Sequence, residues 1–340
     1  MRQSVINAIL GSCLVIAPAL ASDAEPRIIG GCKSVQDSHP WMVAVSRKNF
    51  GSQWAGTFCG ATLIHENWAL TAAHCMFRNS VAIVASDLEL YIGTTVLDSG
   101  DGATYDVESI TVHPSYANDD TQQFNDIALL KLASPADAPV ARLATVKPGA
   151  GLQALTTGWG RTNAVSVDGQ VDQYPQELQE VNVDTHELSS CNNGVAVQDS
   201  QICAGVLDGG KDSCSGDSGG PLLLTSQGED TLVGVVSYGF GCAQKNLLAI
   251  YTSVASYGSW IADATKDSVT NVSDIPVSSA ISENYSDFTS TCPLDPETPI
   301  FIGSSGGGGS AGFGFIVVSL LSFFARCRQP LRPSASNKKA

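Results

Sequence analysis

Three short stretches hold side chains whose types and surroundings could do covalent chemistry: Gly216-Asp217-Ser218-Gly219-Gly220-Pro221, Thr71-Ala72-Ala73-His74-Cys75, and Asn125-Asp126-Ile127-Ala128-Leu129-Leu130. A serine hydroxyl is a poor nucleophile near neutral pH. It attacks a carbonyl when an imidazole takes its proton and a buried carboxylate fixes that imidazole's tautomer. Glycines around the serine let a substrate carbonyl approach and leave backbone N–H groups exposed. A Gly-x-Ser-Gly alone is usually a turn; only the three frames together point to acyl transfer. His113, His186, His65 and His39 sit in loop-like surroundings and read as surface histidines, and Asp98, Asp101, Asp119 and Asp120 read as acidic loops.

Side chains so far apart along the chain need a fold that converges them. From Ile28 to about Thr252 the sequence alternates short strand-like runs with Gly, Asn, Asp and Ser: Trp41 to Val45, Gly60 to Ile64, Val81 to Val84, Ile127 to Leu132, Leu232 to Ser237. Such spacing predicts an antiparallel all-β barrel or sandwich. One helix is expected, from Val254 to about Lys266, with Trp260 and Ile261 on its apolar side.

The 340 residues are 43% hydrophobic and 15% charged with 33 glycines, which fits one large loop-rich domain with tails and excludes a disordered chain. Residues 22 to 310 hold 12 basic against 33 acidic residues, net -21. That charge repels phosphate backbones and anionic lipid, so nucleic acid is not an expected partner. Arg2, the apolar run Val5 to Leu20 and the small-x-small Ala19-Leu20-Ala21 predict an export signal, 1–21. A lipoprotein signal ending at Cys13 and an uncleaved anchor are the alternatives.

At the far end Gly303-Ser304-Ser305-Gly306-Gly307-Gly308-Gly309-Ser310 precedes an apolar run, Ala311 to Ala325, and then Arg326 and Arg328. A helix of that run reaches about 22 Å, short of an ordinary span. This order resembles the GlyGly-CTERM tail of exported Gram-negative proteins, which implies type II secretion and trimming by a rhomboid-type protease. A GPI signal and a plain single-span anchor remain alternatives. Between tail and domain, 267–302 is rich in Ser, Thr, Asp and Pro and reads as a linker.

With its three motifs in chain order, the segment Ile28 to about Lys266 resembles the trypsin-like serine proteases of the chymotrypsin fold. The resemblance implies two six-stranded antiparallel Greek-key β-barrels with a C-terminal α-helix. It assigns His74 as general base and acid, Asp126 as its orienter, Ser218 as nucleophile, and the N–H groups of Gly216 and Ser218 as the oxyanion hole. Arg27 and Ile28-Ile29-Gly30-Gly31 match the family's activation site, with Asp217 as the expected partner of the freed Ile28 amino group and 22–27 as propeptide. Asp212 falls at the floor of the specificity pocket and implies substrates with Arg or Lys at the cut. Ser237 and Gly239 match the pocket wall. Tyr238 replaces the usual tryptophan, and Ala249, in Leu248-Ala249-Ile250-Tyr251, stands where the family has glycine. Its methyl group predicts an uneven preference between Arg and Lys, worth about 1–3 kcal/mol, or a slower enzyme.

Family positions pair Cys59 with Cys75, Cys191 with Cys203 and Cys214 with Cys242. Parity leaves Cys32 and Cys292, which either bridge, stay free or bond between molecules; Glu180 occupies the region of the family's usual N-terminal partner. No carboxylate stands near Thr94 for the family's calcium loop, so neither metal nor cofactor is expected. The expected partners are protein or peptide substrates, and the expected state is a secreted or cell-surface monomer. The competing expectations are a catalytically silent protease-like binding module and a surface-display protein.

Overall fold

The structure, a computed structural model, describes residues 28–118, 123–163, 173–226, 229–266, 268–269 and 272–273. The export signal, the propeptide with Arg27, most of the linker, the sorting tail, and Cys13, Cys292 and Cys327 lie outside the described residues.

The first barrel has six strands: β1 (Met42–Arg47), β2 (Thr57–His65), β3 (Trp68–Thr71), β4 (Leu88–Ile92), β5 (Ala103–Val112) and β6 (Ala128–Leu132). They run in the order β6-β3-β2-β1-β4-β5 and close through antiparallel pairing of β6 with β5, Ala128 opposite Val112. The second barrel contains β7 (Gln153–Gly158), β8 (Gln179–His186), β9 (Gln201–Gly205), β10 (Pro221–Ser226), β11 (Glu229–Tyr238) and β12 (Ala249–Ser253). Its order, β10-β7-β8-β9-β12-β11, closes through β10 and β11, with Pro221 opposite Val235. The fold is thus the pair of six-stranded antiparallel barrels with a short C-terminal helix. Closure removes sheet edges, and it buries both faces of many strands. Met42 to Ser46 is buried throughout, so the run reads as continuously apolar instead of alternating.

Val81 to Val84 departs from expectation. Only Val81–Ala82 pairs, with Phe77–Arg78, around a turn in which Asn79 (φ 50°) and Ser80 (φ 63°) are left-handed. Two such residues make the tight turn whose twist suits a hairpin. Val81 and Val84 are 68% and 56% exposed, so a short surface hairpin replaces the expected four-residue strand. A four-residue helix that the sequence pattern did not announce, α1 (Gln53–Gly56), interrupts the passage from β1 to β2 and is capped by the Ser52 hydroxyl.

The expected C-terminal helix begins as a 3-10 turn, Val254–Tyr257, and becomes α2 over Gly258–Thr265, ending at left-handed Lys266 (φ 55°). Ile261 is buried in the core cluster that fills the first barrel and extends into the second, and Trp260 packs against it. Beyond α2 the chain keeps touching the fold: Val269 joins that core, and Val272–Ser273 pairs in parallel with Leu143 and Ala144. Ile261→Ala should lower stability by about 2–5 kcal/mol through lost burial and a residual cavity, read as a lower urea midpoint; an unchanged midpoint would show that α2 is not part of the cooperative unit.

Candidate active site

The segment leaving β3 fixes the histidine. Ala72 and Ala73 are fully buried, so no side chain loosens the turn, and His74 opens a 3-10 turn over His74–Met76. A disulfide from Cys75 to Cys59 ties that turn to β2. Asp126 sits just before β6 and is fully buried. The preceding Asn125 is left-handed (φ 53°), its side-chain Nδ2 donates to Ser115 O at 2.8 Å, and its side-chain Oδ1 accepts from the Tyr257 hydroxyl at 2.9 Å.

Four hydrogen bonds then define the aspartate. Its Oδ1 accepts from the His74 backbone N–H (2.8 Å), and its Oδ2 faces His74 Nδ1 (2.8 Å) and accepts from the Ser237 hydroxyl (2.5 Å). Thr252 Oγ1 donates to the Asp126 carbonyl at 2.8 Å. Burial pushes the carboxyl upward, but the imidazole's charge and the hydrogen bonds from His74 and Ser237 outweigh it and hold Asp126 below its ordinary value. Burial acts to lower His74, and the Asp126 charge and hydrogen bond overcome it, so the imidazole stands above its ordinary value. With Nδ1 engaged by Asp126, Nε2 is the nitrogen left for substrate chemistry.

Ser218 lies in the loop between β9 and β10. Its carbonyl accepts from Gly60 N–H at 2.8 Å, bringing the two barrels into backbone contact. Gly219 allows this approach: at φ 79°, a Cβ there would lie 2.2 Å from Thr71 Oγ1 and 2.4 Å from Gly60 O. His74 and Ser218 line one cavity of about 310 Å³, together with Gln123, Arg161, Gly239 and Ala249. Among the described residues no hydrogen bond joins the Ser218 hydroxyl to the imidazole, and such contacts commonly tighten only when substrate closes the site. Neither Gly216 nor Ser218 gives its backbone N–H to an acceptor among the described residues.

Two further carboxylates lie behind the loop. Asp217 is fully buried and accepts from Gly160 N–H and Cys214 N–H, both at 2.8 Å, yet burial still pushes it up to about 7. Ile28 is fully buried, and Ile29 O accepts from Asp212 N–H at 3.2 Å, so the start of the described chain packs on this same segment. Asp212 is 2% exposed; its Oδ2 accepts from Ala243 N–H at 3.0 Å while its Oδ1 has no hydrogen-bond partner among the described residues. Burial raises it, too, to about 7. The Cys214–Cys242 disulfide holds the two walls in front of it, and Ala249 faces Gly239 across one of them, at 3.7 Å from where a Cβ on Gly239 would stand.

The third disulfide, Cys191–Cys203, lies beside Ala249, whose carbonyl is 3.4 Å from Cys191 Sγ. Cys32 is also disulfide-bonded, to a partner outside the described residues, where the expected pairing with Cys292 falls. Cys59, His74 and Cys75 cluster within 4.8 Å, but the two sulfurs are bonded to each other and leave the group without thiolate ligands.

The other histidines divide. His39 is not a surface residue: it is 7% exposed, its ring lies tilted against Trp41, and its Nε2 meets Glu180 Oε2 at 2.8 Å in a buried pair. Its partner lies 141 residues away, beyond any local pattern. His113 packs edge-on to Tyr257 and Trp260, His186 Nε2 meets Gly205 O at 3.0 Å, and His65 Nδ1 accepts from Asn67 N–H at 3.1 Å. Thr252, Gln123 and Arg161 were missed for the same reason, since each reaches the site through a long-range contact.

The Trypsin family model matches residues 28–261. Similar proteins include trypsin of Sus scrofa, 36% identical over 71% of this chain and 96% of its own length. Trypsin-3 of Homo sapiens is 37% identical over 72% of this chain and 75% of its own length. Anionic trypsin of Bos taurus is 35% identical over 77% of this chain and 97% of its own length.

In an NMR titration of Ser218→Ala protein, which cannot digest itself by the expected chemistry, the His74 imidazole should protonate with a midpoint above about 6.5. Asp126→Asn removes the charge that favours the protonated form and should bring the midpoint down. A His74 midpoint that ignores this substitution would contradict the electrostatic account.

Proposed function

Because the chain belongs to the trypsin family of serine endopeptidases, we propose that it hydrolyses peptide bonds on the carboxyl side of arginine and lysine through an acyl-enzyme. The observation that carries this reading is the buried Asp212 carboxylate, whose Oδ1 has no hydrogen-bond partner among the described residues and which directly precedes Ser213 and Cys214 in the lining of the cavity that His74 and Ser218 share. An ionised carboxylate left unpaired in the interior is costly. A guanidinium or ammonium entering between the walls held by Cys214 and Cys242 removes that cost, and a neutral side chain does not.

In this mechanism His74 Nε2 takes the Ser218 proton as Oγ attacks the scissile carbonyl. The developing oxyanion receives the N–H groups of Gly216 and Ser218, each worth about 3–4 kcal/mol of barrier. His74 then protonates the leaving amine, and a water repeats the sequence to release the acid. Asp126 stays ionised throughout and stabilises the imidazolium. Gly239 offers its backbone to the substrate chain, and Ser237 steadies Asp126.

The chain is read as a zymogen. Cleavage after Arg27 frees the Ile28 ammonium, whose place is beside Asp217 in the loop that carries the oxyanion donors. Residues 1–21 direct export, 22–27 form the propeptide, 28–266 the peptidase domain, 267–302 a linker, and 303–340 a sorting tail trimmed by a rhomboid-type protease after type II secretion. The product is a secreted or surface-held monomer. Mass spectrometry of both ends of the mature protein tests these boundaries.

Asp212→Asn should lower kcat/KM on matched Arg and Lys peptides by about 10³-fold or more while leaving Ser218 reactive toward a small phosphonylating reagent. Equal turnover by wild type and variant would rule out the assigned pocket. Ala249→Gly should shift the Arg-to-Lys ratio of kcat/KM, by about tenfold.

Asp217 supplies a pH test. A carboxyl whose folded value of about 7 exceeds its unfolded value destabilises the fold progressively as pH rises from about 4 through about 7. An adjacent ammonium cancels that loss. Processed Ser218→Ala protein should therefore exceed an uncut Arg27→Gln/Ser218→Ala form in Tm by a margin that grows between about pH 5 and about pH 8; a constant margin would exclude the pairing.

A further inference from the structure

His39 and Glu180 form a buried pair that the proposed chemistry does not use. They are 7% and 3% exposed, and His39 Nε2 lies 2.8 Å from Glu180 Oε2. Taking an imidazole and a carboxyl out of water is costly unless each finds a partner. The other ring nitrogen, His39 Nδ1, has no hydrogen-bond partner among the described residues, so the polar anchorage of the ring rests on Glu180. Such a pair selects one arrangement of the chain over looser ones.

The arrangement in question is that of residues 28–38, the arm that leads from the proposed cut to the first barrel. Its inner half lies on the second barrel. Ile28 is fully buried, Asp212 N–H donates to Ile29 O at 3.2 Å, and Ser34 N–H donates to Leu178 O at 2.9 Å. Between them Cys32 and Lys33 pair antiparallel with Glu180 and Gln179 of β8. Two glycines permit this approach: a Cβ on Gly30 (φ 70°) would stand 2.0 Å from Gly210 O, and one on Gly31 would stand 2.3 Å from Glu180 O. The outer half turns through solvent, with Val35 53% exposed and Asp37 left-handed at φ 62°. His39 marks the return of that turn, just ahead of β1. Glu180 therefore meets the arm twice, at Cys32 through its backbone and at His39 through its side chain, and closes the turn between them.

We infer that the His39–Glu180 pair positions the freed N-terminus: by closing the turn it holds Ile28 to Gly31 in the register that sets the Ile28 amino group beside Asp217. His39 and Glu180 are thus positioning residues, and they fix the share of molecules whose oxyanion loop is formed. This role rests on the activation reading above. With the arm undocked, Asp217 is buried without a cation and the loop that carries Gly216 and Ser218 loses its support. Substrate selects the docked state, so a smaller docked fraction raises KM and leaves kcat at saturation nearly unchanged. A pair that only stabilised the fold would lower the unfolding midpoint and leave both constants alone.

The test uses protein processed after Arg27. Access to the Ile28 amino group is read in the Ser218→Ala background by timed reaction with a small amine-directed reagent and mass spectrometry of the N-terminal peptide, against the same protein unfolded in urea. KM and kcat are read on an arginine peptide with Ser218 intact. His39→Ala/Glu180→Ala removes the pair without stranding a charge; it should raise KM by about tenfold at nearly constant kcat and speed Ile28 labelling by a similar factor. Glu180→Gln, which keeps the volume and removes the charge, should move both readouts the same way by less, and it decides alone if the double variant does not fold. His39→Gln keeps a donor facing Glu180 and should restore both readouts towards wild type. Unchanged KM with Ile28 still protected overturns the positioning role alone, as does a fall in kcat with Ile28 still protected. Processed wild type whose Ile28 reacts as readily as in urea overturns the activation reading and this role with it.

Discussion

The Asp126 carboxylate is the constraint on which the rest of the molecule depends. It is fully buried, and an ionised carboxylate in that position is tolerated only because both of its oxygens have donors. The donors come from both barrels: two from His74 at the end of β3, one from Ser237 at the end of β11, with Thr252 of β12 holding the adjacent carbonyl. A single charged group thus fixes the tautomer of the imidazole and the register of one barrel against the other. Neither job can be relaxed without the other, because the same oxygen, Oδ2, serves His74 and Ser237.

Asp212 and Asp217 follow the opposite rule. Both are buried with too little compensation, and both are pushed to about 7. Asp126 is satisfied within the chain, whereas these two ask for a cation that the described residues do not provide. That contrast separates an internal orienter from two groups without a cation, which under the proposed function receive one by processing of the N-terminus and one with the substrate. The acidity of the whole domain sharpens the distinction, since free cations on its surface are few.

The parts legible in the sequence were those fixed by local frames. Ser218, His74 and Asp126 each stand in a short motif, and the strand-like runs with a terminal helix led to the two barrels once the resemblance was drawn. Features built by distant pairs were not legible. His39 looked like a loop histidine because nothing nearby reveals Glu180, and Val81 to Val84 looked like one strand because hydrophobicity does not say that Asn79 and Ser80 turn the chain back on itself. The α1 turn is too short to carry a helical period. The start of α2 was blurred because a 3-10 turn and an α-helix share the same residue preferences.

The backbone bond from Gly60 to the Ser218 carbonyl, and the hydroxyl bridge from Ser237 to Asp126, place the working parts along a joint between two rigid shells. Each shell is closed on itself and resists deformation, so strain applied to the molecule concentrates at the joint. A slip of about an ångström there parts these bonds at their usual length of about 3 Å while every sheet ladder stays intact. The protein should therefore fail as a machine before it fails as a fold: mild denaturant or pressure would silence turnover while the circular dichroism of the strands stays native.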